Sequence, residues 1–218
     1  AEAADLASHV CGASRKGFNQ RLRRAGGRLE CHLAKAGVVK KALAEGSPEG
    51  DLAKLDFRCG RIIEVRRMPS DTLYLLSVDV GEDKPRQVVS SLVKHYREEE
   101  LEDRQVVVYC NIKPGRMLGW ISDAMLLNAT KDRSTGHDRC ELLTPPRGTK
   151  EGTRPMCGDV HVGSLRECVS TRYIVKVWHR VQPLLRTSGA GEATFNGTAL
   201  TFPGGPITVD SLVDVGIF

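Results

Sequence analysis

Between Asn111 and Met125 the chain collects an amide (Asn111), two cations (Lys113 and Arg116), a hydroxyl (Ser122) and two thioethers (Met117 and Met125). Cations hold phosphate oxygens, amides and hydroxyls meet base and sugar edges, and adaptable thioethers lie against splayed bases. No acid is paired with a base in this stretch, so it reads as a surface for binding rather than for turnover. The elements that present it are legible. Val106–Cys110 is an unbroken apolar run and predicts a buried strand. Pro114-Gly115 predicts a turn, because proline fixes φ and glycine tolerates positive φ. Arg116–Ser122 then predicts a returning strand, placing the polar set at the mouth of a hairpin.

Signals for catalysis are weak elsewhere. The sequence has no G-x-x-x-x-G-K-[ST] phosphate loop, no G-x-G-x-x-G turn and no G-x-S-x-G elbow. Asp79, Glu82 and Asp83 would suit a metal-dependent nuclease, but Gly81 between them favours a plain turn. Seven cysteines, an odd number without a Cys-x-x-Cys pair, argue against a disulfide framework and a structural zinc site, and fit a reducing cytoplasm. No catalytic residue, metal or cofactor is expected. Nor is a membrane partner, since no apolar run reaches spanning length. The chain opens on Ala1 without an initiator methionine, which suggests a processed form or a fragment.

Three regions follow from pattern and charge. Residues 1–50 form a basic arm of net charge +4, with Phe18, Leu22, Ala25 and Leu29 at helical spacing and an interruption at Gly26-Gly27. Such an arm would bind RNA or a protein partner, or pack with its cations solvated. Glu45–Asp51 reads as a linker. Residues 51–148 are neutral overall and rich in strands: 55–65 with a bulge at Gly60, 73–80, 87–91 and the run from Val106. A short acidic helix at 97–103 falls between the third and fourth strands. Five strands in that order predict a mainly β chain built on an OB-fold barrel. Residues 149–218 predict a C-terminal α+β extension, with a helix over 173–185 and strands near 194–202 and 207–213.

One further pattern spans the middle region. Leu55-Asp56-Phe57-Arg58-Cys59-Gly60-Arg61-Ile62, Thr72-Leu73-Tyr74, Asp79-Val80-Gly81, Val88-Val89-Ser90-Ser91-Leu92, Asn111-Ile112-Lys113-Pro114 and Ser122-Asp123-Ala124-Met125 occur in this order. The set resembles the tRNA-binding domain of the endothelial monocyte-activating polypeptide II family. That family includes synthetase-associated cofactors and the C-terminal domains of some tyrosyl- and methionyl-tRNA synthetases. The resemblance implies an OB-fold module without catalysis that recruits tRNA to an aminoacyl-tRNA synthetase or a multi-synthetase complex. It implies Arg58, Ser90, Asn111, Lys113, Ser122 and Met125 as tRNA contacts; Arg116 joins them as the second cation beside the Pro114-Gly115 turn, and Met117 reads as core filler. It also implies that the extension packs on the barrel as shorter relatives pack on a partner, so a monomer is expected. Met68-Pro69 stands where His-Pro is usual, and the lysine cluster before Trp178 is reduced to Arg172 and Lys176. A protein scaffold in a synthetase complex is the alternative. A cytokine-like fragment is the third, though its segment Arg58–Glu64 ends in Glu64 in place of threonine.

Overall fold

The computed structural model describes residues 46–131 and 139–218, so the basic arm lies outside the described residues. The first described element is a short helix, α1 (Pro48–Leu52), where a linker was expected. Ser47 caps it, accepting from the Gly50 N–H at 3.0 Å, and Pro48 supplies a helical φ at a position that needs no donor. The boundary expected at residue 50 therefore falls inside a helix whose Asp51 and Leu52 are buried.

Strand β1 (Phe57–Arg67) is long because it serves two partners. Its first half pairs with β4 (Gln105–Tyr109) and its second half with β2 (Tyr74–Asp79), with a register shift between Ile62 and Glu64. The bulge thus sits at the exposed Ile63, three residues beyond the expected Gly60. Gly60 has a different task. A Cβ there would lie 2.7 Å from Val108 Cγ2 and 2.9 Å from the Asp79 carbonyl, so only glycine lets the strands approach.

Strand β3 (Arg86–Ser90) follows β2, the short helix α2 (Glu98–Leu101) leads into β4, and β7 (Met125–Leu126) pairs beyond β4. The order is β3-β2-β1-β4-β7, antiparallel throughout. Side chains bring the two edges together. Asp123 N–H donates to the Gln87 carbonyl, its carboxylate accepts from Gln87 N–H at 3.1 Å, and Ser122 Oγ accepts from Val89 N–H at 3.1 Å. The result is a nearly closed five-stranded antiparallel barrel, OB-like, filled by Ile62, Leu76, Val88, Val106 and Leu126.

A second core lies on the outer side of β1 and β4, where Phe57, Cys59, Val107 and Tyr109 would otherwise face water. The extension covers them with α3 (Thr171–Val181), which buries Ile174, Val177 and Val181. Trp178 stacks on Tyr109 at 5.0 Å and meets Phe57 edge-on at 6.4 Å, pair geometries worth roughly 0.5–1.5 kcal/mol each beyond burial. The helix is shorter than the expected 173–185, because Pro183 turns its continuation into a 3₁₀ segment. Before it run the short strands β9 (Arg139–Leu142), β10 (Met156–Cys157) and β11 (Val160–His161), and beyond it β12 (Leu185–Thr187), β13 (Ala193–Phe195), β14 (Thr198–Phe202) and β15 (Gly205–Pro206). The expected 207–213 strand is reduced to bridges at Thr208. Residues Gly216–Ile217 (β16) slot between β12 and the barrel-side strand β8 (Asn128–Lys131), so extension and barrel share one sheet.

Candidate nucleic-acid interface

The expected hairpin is built differently from its sequence reading. Its turn falls at Leu118-Gly119, not at Pro114-Gly115, and joins the ribbon strands β5 (Gly115–Met117) and β6 (Trp120–Ser122). Both turn residues take positive φ, 48° and 87°, as a two-residue hairpin turn requires. For Leu118 this is an unfavoured conformation. The ribbon projects from the barrel with Met117, Leu118, Trp120 and Ile121 exposed by 49, 62, 43 and 43%. Met117 is therefore not core filler. Lys113 and Arg116 are exposed, and their side chains make no hydrogen bond or ion pair with any described residue.

The other expected contacts occupy different positions. Ser122 is buried, and besides closing the barrel at Val89 its hydroxyl donates to the Ala124 carbonyl at 3.0 Å. Asn111 accepts from the Asp56 N–H at 2.8 Å and donates to the Lys54 carbonyl at 2.9 Å. Its amide imitates a strand partner just where β4 ends, which an aspartate could not do opposite a carbonyl. Met125 is half-buried against the second core. Ser90 shares a row with Tyr74 and Arg67, and the alternation of strands turns it away from the neighbouring row Arg66–Leu75–Val89.

Arg58 is only 11% exposed, and its guanidinium is bound on both sides. It meets Asp56 Oδ2 at 2.6 Å and Glu82 Oε1 at 2.7 Å. Asp56 is itself buried and gathers Arg154 at 2.7 Å, with Arg166 at 3.9 Å, both from the extension. Burial pushes the Asp56 carboxyl up, but hydrogen bonds and charge from Arg58 and Arg154 outweigh it and hold the group below the usual carboxylate value. Glu82 faces arginines, not Asp79. It grips Arg86 through both oxygens at 2.9 Å, and this lowers its pKa. Asp79 Oδ1 accepts from the Gly81 N–H at 2.8 Å, so the segment is a turn. No metal-binding cluster occurs among the described residues.

Arg86 ends this chain of charges at the root of the ribbon. Its guanidinium donates to the Cys110 carbonyl at 2.7 Å and the Asp123 carbonyl at 3.1 Å, one on each side of the projecting segment. Arg58 and Arg86 thus position what Lys113 and Arg116 display. Sequence reasoning missed Arg86 and Trp120. The row position of Arg86 at the start of a strand gave no signal, whereas Trp120 beside a glycine turn was a visible one.

Residues 57–154 match the sequence profile of the putative tRNA binding domain family. They belong to that family. Across a longer span the chain is 33% identical over 190 residues to aminoacyl tRNA synthase complex-interacting multifunctional protein 1 of Cricetulus griseus, covering 84% of this chain and 51% of that protein. It is 38% identical over 162 residues to the cytoplasmic tyrosine–tRNA ligase of Danio rerio, covering 73% of this chain and 30% of the ligase. The chain thus spans about half the length of the first of these relatives, and less of the ligase. Among solved structures, the C-terminal domain of Plasmodium vivax p43 superposes with a TM-score of 0.65 at 27% identity, over 77% of this chain and 98% of that one. That superposition takes in a larger share of the chain than the stretch 57–154, so it is not limited to the barrel.

Proposed function

We propose that this chain is a non-catalytic tRNA-binding module that brings tRNA to an aminoacyl-tRNA synthetase or a multi-synthetase complex in the cytoplasm. The observation that carries the reading is the ribbon: two cations, Lys113 and Arg116, without a side-chain partner among the described residues, on a projection rooted by Arg86 beside an OB-like barrel. An OB barrel presents its strand 2–3 face and the loops around it to oligonucleotides, and the ribbon is the loop before the last barrel strand. Lys113 and Arg116 contact phosphate. Met125 and Ser90 are second-rank contacts, while Arg58, Asn111 and Ser122 act by holding the ribbon and the barrel edge. The relatives' names, a synthetase-complex protein and a synthetase, support synthetases or their complex as partners. No helix among the described residues is long and apolar enough to cross a membrane.

The extension supports a monomer, because it already covers the outer side of β1 and β4. Light scattering over a concentration series tests this, and a constant dimer mass would refute it. The test of function is fluorescence anisotropy with unfractionated tRNA across a salt series. Lys113→Ala with Arg116→Ala should weaken binding and flatten the log–log salt slope by roughly 1.4–1.8, at about 0.7–0.9 per phosphate contact. Equal affinity and slope with an unchanged melting curve would overturn the reading.

A further inference from the structure

Within that reading the ribbon holds an unused feature, a large aromatic side chain in solvent. Trp120 is 43% exposed at the end of a two-stranded projection, directly across from Met117. Its counterpart Trp178 is packed between Tyr109 and Phe57. A Trp, two aliphatics and a methionine clustered around one turn is an apolar surface that a soluble fold has no internal reason to display.

We propose that Trp120 is a stacking platform for an unpaired RNA base, with Met117 across from it on the same face and Lys113 at the ribbon's root and Arg116 on its opposite face holding phosphates of the strand that passes over it. This rests on tRNA binding by the same ribbon. Charge decides the occupant. The cations nearest in sequence have no side-chain partner among the described residues, and the local acid, Asp123, is committed to the Gln87 N–H. A polyanion is therefore favoured over an acid-free apolar peptide. Geometry agrees. An indole edge and face on a narrow ribbon offer a π-surface to one flat ring, and stacking tolerates any base. The ribbon is also fixed in direction, since Arg86 holds the carbonyls of Cys110 and Asp123 on both sides of its root. A platform held that way loses little freedom on binding.

The chain carries its own control, because Trp178 reports on folding while Trp120 reports on the ribbon. Tryptophan emission and anisotropy are measured on the full chain with unfractionated tRNA and with a short single-stranded oligoadenylate. Wild-type emission should be quenched by both ligands, and the quench should vanish in Trp120→Leu with Trp178 emission and melting unchanged. Trp120→Leu should lose roughly 5- to 100-fold in affinity, and Trp120→Phe should retain most of it. If Trp120→Leu binds tRNA like wild type while the Lys113/Arg116 double variant does not, tRNA binding stands and the stacking proposal fails. If wild type binds no tRNA, both fail. A blue shift of Trp120 emission with phosphatidylserine vesicles, without quenching by RNA, would overturn the proposal in favour of a membrane surface.

Discussion

The knot around Asp56 and the ribbon at Leu118-Gly119 use similar residues to opposite ends. In the knot, Arg58 and Arg154 are drawn onto a buried carboxylate, and Glu82 links Arg58 to Arg86. In the ribbon, Lys113 and Arg116 stand in water with no partner among the described residues, surrounded by apolar side chains. An arginine within a binding motif is therefore not by itself a phosphate ligand. What separates the two is the acid two residues before Arg58, which accepts from its guanidinium at 2.6 Å.

The sharpest way to break this contrast is to remove the carboxylate. Asp56→Ala leaves the buried Arg58 with Glu82 as its remaining carboxylate and takes from Arg154 its ion pair, and should destabilise the fold by about 3–5 kcal/mol, read by denaturant unfolding. A loss below about 1 kcal/mol would mean that the arginines find water or other partners. Acid should act on the same site. The folded pKa of Asp56 is lowered, so its contribution is complete above the unfolded value of about 3.9 and is lost as pH falls through the folded value. Melting temperatures between pH 5 and pH 2 should fall below about pH 4, and fall less in Asp56→Asn, which starts lower.

A middle-sized effect belongs to the hydroxyl that closes the barrel. Ser122→Ala strands the Val89 N–H and should cost about 1–3 kcal/mol of stability. If it instead weakened tRNA binding at unchanged stability, Ser122 would be a contact and not a clasp. The smallest stability effect is expected at the ribbon, where Lys113→Ala with Arg116→Ala should change stability by no more than about 0.5 kcal/mol. A larger loss on thermal melting would show that these cations support the fold.

Much of the barrel was legible from residue order alone. Val106–Tyr109, Tyr74–Asp79 and Arg86–Ser90 form strands close to their expected bounds, and the acidic helix lies between the third and fourth. Such runs are decided by local pattern. What escaped was decided by distant neighbours. The bulge falls at Ile63, while Gly60 pairs in register with Val106 and is needed because a Cβ there would meet Val108 and the Asp79 carbonyl. Asn111 bonds to Lys54 and Asp56, more than fifty residues away in sequence, and no spacing within 111–125 announces it. The turn shifted to Leu118-Gly119 because a two-residue hairpin needs two positive φ values in a row, which Pro114 cannot supply. Among the site residues, Lys113 and Arg116 were readable as exposed cations. The internal duties of Arg58 and Ser122 were not, since type and spacing are the same for a contact and for a clasp.

The strand at Gly216–Ile217 has a consequence for the living ribosome. It pairs with Ala129 and Thr130, so about 90 residues of chain are made between the two partners. At about 5–20 residues per second, β8 waits roughly 4–18 s after its own synthesis before its neighbour exists. During that interval one edge of a β-strand is open on a nascent chain, the situation in which pairing with the wrong strand is easiest. Slow codons downstream of residue 130 would lengthen the exposure, and a chaperone that shields it would have its work set by the position of these two residues.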